Sequence, residues 1–246
     1  MFPEVNQMHE KKISIALLAV LLAASSVSAA TYDDFKGVSA AAMKPFARDL
    51  GGLLGSGAAQ TARPLGFSGF DIGVRGMAQF NPSHGDAVLK KNNLFGLGLV
   101  QAEIGMPYRV DGFVRGGSYE GLSVAGGGLR YGLWNVSDEK YKINAMIVGL
   151  ADVATSQYFY AIHFHTSVIC SLNAPVVSPY ISVGYDSTHL KAQGVADSSL
   201  DGASVHVAEP RFAAGLRTKI NLGYLTASVA YTHDRPVVGA STGFRF

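Results

Sequence analysis

The sequence predicts an all-β fold, a single antiparallel transmembrane β-barrel of about ten strands with a short N-terminal helical segment. Three observations predict it. Apolar and polar residues alternate with a period of two from about Phe67 to Phe246. The charges within those segments, mostly Arg, share one of the two faces. No stretch beyond residue 30 approaches the roughly 18 consecutive apolar residues of a membrane-spanning helix, although 48% of the 246 residues are hydrophobic and only 15% charged.

The first 30 residues carry an export signal. Lys11 and Lys12 precede an apolar run from Ile13 to Ala24, and Val27-Ser28-Ala29 supplies the small residues of a cleavage site. As a helix that run would cover about 18 Å, short of the roughly 30 Å of a bilayer core. Residues 1–29 are therefore expected to be a cleaved signal peptide. Residues 30–66 form a helical segment and linker, and residues 67–246 the barrel.

Asp33 and Asp34 open a stretch in which Phe35, Val38, Ala42, Phe46 and Leu50 fall at helical spacing. An N-cap at Asp33 or Asp34, a kink at Pro45 and a stop at Gly51-Gly52 are expected, with 55–64 as linker. A helix with its side chains is about 10–12 Å wide, and barrels of about eight strands hold little more than side chains. The helix is accordingly expected to pack on the barrel mouth rather than to plug the lumen.

The strands are placed near 67–80, 93–104, 109–116, 122–134, 142–152, 158–170, 178–187, 205–219, 222–232 and 237–246, with eight or twelve strands also compatible. Lipid cannot satisfy backbone N–H and C=O groups, so such a sheet must close, with an apolar face outward and a polar face toward the lumen. Asp71, Arg75, Glu103, Asp111, Arg115, Arg130, Asp152, Asp186, Arg211, Arg217, Lys219 and Arg245 are the charges expected to face the lumen. The longest connections, 81–92 and 187–204, fall on the outer side if the chain enters from the periplasm, and the tight turns at 106–107, 172–175 and 221–223 on the periplasmic side.

The C-terminal strand, ending Gly243-Phe244-Arg245-Phe246, resembles the terminal strand of Gram-negative outer-membrane β-barrels. That resemblance implies an outer-membrane location, contact with outer-membrane lipid, and recognition of Phe244 and Phe246 by the barrel assembly machinery. The stretch Ser178-Pro179-Tyr180-Ile181-Ser182-Val183-Gly184-Tyr185 is similar to strands of uncharacterised proteobacterial barrel families, which implies fold only.

Little in the sequence points to chemistry. A net charge of +2 without a basic cluster argues against nucleic acid, and the single Cys170 excludes an internal disulfide. The string Gly239-Ala240-Ser241-Thr242-Gly243 lacks the strand–turn–helix context of a hydrolase elbow, and Gly126-Gly127-Gly128 lacks the Lys-Ser/Thr of a phosphate loop. His163, His165 and Ser167 share one strand face, and a third group such as Asp152 or Asp186 would be needed to make a site of them. No cofactor, metal or catalytic residue is assigned. The expected function is a structural, surface-interaction or narrow-pore barrel rather than an enzyme. The alternatives are an outer-membrane lipid hydrolase or acyltransferase using the His/Ser face, and a soluble periplasmic lipocalin-like binder.

Overall fold

The computed structural model describes residues 32–58, 60–89, 94–135 and 139–246; the expected signal peptide lies outside them. A 3₁₀ turn, Tyr32–Gly37, leads into one α-helix, α1, Ala40–Leu54. Ten strands follow: β1 Phe70–Phe80, β2 Leu94–Gly105, β3 Val110–Tyr119, β4 Leu122–Gly132, β5 Ile143–Thr155, β6 Phe159–Leu172, β7 Val177–Ala192, β8 Ser204–Ile220, β9 Gly223–Thr232 and β10 Arg235–Arg245. All pair antiparallel with their sequence neighbours, and β10 closes on β1 from Asp71↔Arg245 to Gln79↔Val237. Closure leaves no sheet edge unpaired.

The period-two pattern sets the two faces. Val114, Leu129 and Ile181 point outward and are 66%, 60% and 62% exposed, while Arg75, Gln101, Asp152 and His163 point inward and are buried. Two-residue turns join β3 to β4 and β9 to β10. Glu120 and Gly121, and likewise His233 and Asp234, have positive φ at both central positions, as tight hairpins with a right-handed twist require. The long connections 81–93 and 193–203 lie at the far end, opposite the start of β1. The connection 133–142 at the near end is also long, and the far-end turns 120–121 and 233–234 are short, so loop length separates the two ends less cleanly than expected.

The helix departs from expectation in position and in extent. It starts after Ser39 rather than at Asp33 or Asp34, is unbroken at Pro45, and runs through Gly51-Gly52 to Leu54. It does not sit on the mouth; it lies inside the far half of the lumen. Phe46, Leu50, Leu53 and Leu54 are buried there with Phe95, Leu97, Leu99, Phe159, Leu190 and Val207 from the strands. Phe35 and Phe46 close on Phe159 at centroid distances of 4.9 and 5.1 Å, within the range favourable for aromatic pairs.

The width argument fails because a helix is only as wide as its side chains. A Cβ on Gly51 would overlap the Thr188 hydroxyl, and one on Gly52 would stand 2.6 Å from His233 Cε1. Without these Cβ atoms the barrel wall approaches the helix backbone directly.

Candidate functional site: a plugged lumen

Beyond Leu54 the chain runs down the lumen without regular structure, reaching Leu65 at the near end before entering β1. Irregular backbone inside a barrel needs a partner for each buried N–H and C=O. The strand side chains supply them. Arg211 donates to Gly52 O at 2.8 Å and to Ser56 Oγ at 2.8 Å, and Arg115 donates to Leu54 O and Ser56 O. These are the carbonyls a helix C-terminus leaves orphaned, and cations are favoured there by the helix dipole.

Further down, Arg75 donates to Gly57 O at 2.7 Å and Arg130 to Ala58 O at 2.6 Å. Arg245 donates to Pro64 O at 2.6 Å. Ser171 Oγ accepts from Ala62 N at 2.9 Å, and Asp111 accepts from Leu65 N at 3.0 Å. Five strand arginines thus grip the main chain from Gly51 to Pro64.

Carboxylates hold those arginines in place. Glu103 pairs with both Arg75 and Arg130, Asp152 with Arg115, and Asp186 with Arg211 at 2.6 Å. Arg130 also lies 4.7 Å over the Phe113 ring, a cation–π contact. Buried ions are costly unless paired and hydrogen-bonded, and here the plug backbone supplies acceptors that the carboxylates do not, leaving Arg75 Nε and Arg130 Nε unpartnered.

The charges picked out in the sequence fall as follows. Asp71, Arg75, Glu103, Asp111, Arg115, Arg130, Asp152, Asp186, Arg211 and Arg217 are buried within the barrel. Arg245 is partly exposed and Lys219 is exposed at the near mouth, where its Nζ donates to Asn173 Oδ1. Phe244 and Phe246 point outward.

Asp49 escaped the sequence reading. It is fully buried on α1 and accepts from Ser83 N, Ser83 Oγ, Gln79 Nε2 and His233 Nε2. An Asp within an apolar helical face was the available signal. The inward apolar residues Phe95, Leu97 and Leu99 were missed as well; the glycines Gly96 and Gly98 opposite them were the clue that this strand turns its large side chains inward.

His165, Ser167 and Asp186 come together in a line. His165 Nδ1 lies 2.7 Å from Asp186 Oδ1, and His165 Nε2 lies 2.9 Å from Ser167 Oγ. His163 instead faces Thr188 Oγ1 at 2.9 Å. The order Ser–His–Asp is that of an activated nucleophile. Its surroundings oppose that use: Gly55 to Ala58 of the plug cover it, and the cavity beside Ser167 measures about 30 Å³, room for one or two waters but not for an ester. Asp186 is also engaged by Arg211. Among the described residues no group of three or more His, Cys, Asp or Glu is arranged to hold a metal ion.

At the far end, Asp86 in the connection between β1 and β2 is buried beside Asp49. Burial first, and the neighbouring Asp49 carboxylate second, push the Asp86 carboxyl up to about 8. A carboxyl raised above its unfolded value favours the protonated form in the folded state. Its stabilising contribution is therefore complete below about pH 4 and is lost as pH rises toward 8. Amide exchange at Ser83 to Leu89, corrected for the intrinsic rate, should accelerate between pH 5 and pH 9. Asp86→Asn, neutral throughout, should remove that dependence, and an unchanged profile in the variant would discard the assignment.

No protein-family model matches the chain, and no curated protein resembles it. Among solved structures it is similar to the N-terminal β-barrel domain of Pseudomonas aeruginosa OprF, at 13% identity and a TM-score of 0.40, covering 74% of this chain and 99% of that one. It is also similar to Ail, the attachment invasion locus protein of Yersinia pestis, at 14% identity and a TM-score of 0.33, covering 73% and 97%. Neisserial surface protein A matches at 13% identity and a TM-score of 0.31, covering 72% and 95%.

Proposed function

We propose that this chain is an outer-membrane β-barrel of structural or surface-interaction type, closed by its own N-terminal segment and neither a pore nor an enzyme. The observation that carries the reading is the grip of five arginines on the backbone of residues 51–64 along the lumen. A solute would have to displace the plug and strand those charges.

The outward wall supports a membrane. Ile72, Val74, Val100, Val114, Leu129, Ile147, Val168, Ile181, Val183 and Leu216 are all exposed, an apolar surface far beyond what a soluble monomer presents. Phe70, Tyr131, Trp134 and Phe246 near one end, and Phe80 and Tyr231 near the other, suit the aromatic girdles of membrane barrels. A lipocalin-like binder would need the reverse, a polar outside and an empty apolar interior. Phe244 and Phe246, unpacked on the lipid face of the closing strand, suit recognition by assembly machinery and export through a cleaved signal.

Planar-bilayer recording tests the closed lumen: the purified, folded full chain should give no conductance steps, and steady steps would overturn the reading. Cell fractionation tests the placement, which fails if the protein is recovered from the soluble periplasm without detergent.

A further inference from the structure

The plug does not fill the barrel to its near end. At the near end of the arginine grip, where Arg245 holds Pro64 O and Leu65 leaves the lumen, a cavity of about 360 Å³ opens to the outside, within the size range of small-molecule sites. Arg63, Arg217, Lys219 and Arg245 line it, and no Asp or Glu among the described residues does. Asp71 is set behind the lining. Its Oδ2 is 3.5 Å from Arg217 Nη2, and its Oδ1 already accepts from Tyr224 Oη at 2.8 Å. Cations gathered in a concave, low-dielectric mouth focus their field and raise the local concentration of anions.

A second observation is independent of that charge. Asn144, only 2% exposed, also lines the cavity, and its Nδ2 has no hydrogen-bond partner. Buried donors are rarely left unmade, and this one stands just behind the wall of the cavity that its own residue lines. Ser171 stands directly across the β5–β6 pair from Asn144 and brings a hydroxyl to the same wall.

We propose that this near-end cavity binds a small polyanion carrying phosphate or carboxylate groups. Its oxygens would accept from the guanidinium groups of Arg217 and Arg245, whose planar forks match such anions in pairs, while the Asn144 amide fixes the orientation and Lys219 guards the rim. The volume suits a compact solute rather than a helix, which needs a groove about 10–12 Å wide. Thr61, Arg63 and Leu65 of the plug form part of its wall, and an anion reaches it without moving residues 40–58. In the outer-membrane reading this mouth faces the periplasm, but the binding itself does not depend on that placement.

Calorimetric titration of the full chain, folded in detergent at low salt, with pyrophosphate and separately with citrate tests this. Saturable binding of at least one anion is expected, weakening as sodium chloride is added; which of the two binds tells phosphate from carboxylate. Asn144→Asp keeps the shape but turns a donor toward repulsion, and should weaken binding about tenfold or more. Lys219→Gln, at the exposed rim, tests the site without risk to the fold and should weaken binding measurably. No saturable binding of either anion overturns the proposal. So does binding left unchanged by Lys219→Gln, whatever becomes of the Asn144 variant.

Discussion

Glu103→Gln should be among the most destabilising single substitutions in this protein, lowering its resistance to unfolding by about 3–5 kcal/mol. Glu103 carries one negative charge between two buried arginines, Arg75 and Arg130, and accepts from Gln101 Nε2 at 2.8 Å as well. An amide keeps the volume and removes the charge. Both guanidinium groups then stay buried without the carboxylate that pairs with them directly, and removing one partner of a buried pair costs more than the pair itself is worth. The effect should spread to the plug, because Arg75 and Arg130 are also the donors to Gly57 O and Ala58 O. Urea titration of the protein folded in lipid vesicles, followed by the fluorescence of the single Trp134, measures the loss. A change below about 1 kcal/mol would mean that the two arginines find other partners and that the ionic belt is not what fixes the plug.

Gly51→Ala should also destabilise, against the usual sign of that substitution in a helix. Within an exposed helix, Gly to Ala gains about 1 kcal/mol from propensity alone. Here the added methyl meets the hydroxyl of Thr188, a β-branched side chain on β7 that is itself held by His163 Nδ1. Forcing a methyl into such a contact costs about 1–3 kcal/mol on top of the forfeited gain. The helix has little room to retreat, since Phe95 and Leu97 of β2, across the barrel from β7, belong to the same packed core. The variant should unfold at lower urea, and a displaced helix should admit brief current spikes in bilayer recordings where the parent chain is silent. Thr188→Ala in the same chain should recover part of the loss. A Gly51→Ala protein as stable as the parent would show that α1 sits loosely in the lumen.

Both predictions concern the plug, the part of the molecule least legible from the sequence. The strands could be read because each carries its own evidence. Asp71, Arg75 and Gln79 alternate with Ile72, Val74 and Phe80 whatever lies across the barrel, since successive side chains of a strand point outward and into the lumen by turns. Ten strands and the closing position of the last strand follow from that local rule, as do the strand limits to within five residues, the widest miss being β7, which runs on to Ala192 rather than stopping near 187. That rule makes the inward set polar, whereas Phe95, Leu97 and Leu99 also point inward, because the helix inside the lumen gives large apolar side chains a surface to pack on.

For residues 32–65 the sequence determined that a helix exists and that one face of it must be buried. An amphipathic pattern says how much surface seeks cover, not which surface provides it. Only the tertiary structure decided that the cover is the inside of the barrel. It did so through contacts between residues far apart in the chain: Gly51 against Thr188, Asp49 against Ser83 and His233, and Arg211 on the carbonyl of Gly52. The physical reason is that backbone carbonyls carry no sequence pattern of their own, and a glycine shows where a Cβ is missing but not which side chain will approach there. An arginine pointing into a lumen looks the same in sequence whether it awaits a passing ion or holds the chain's own backbone, and only the fold shows which.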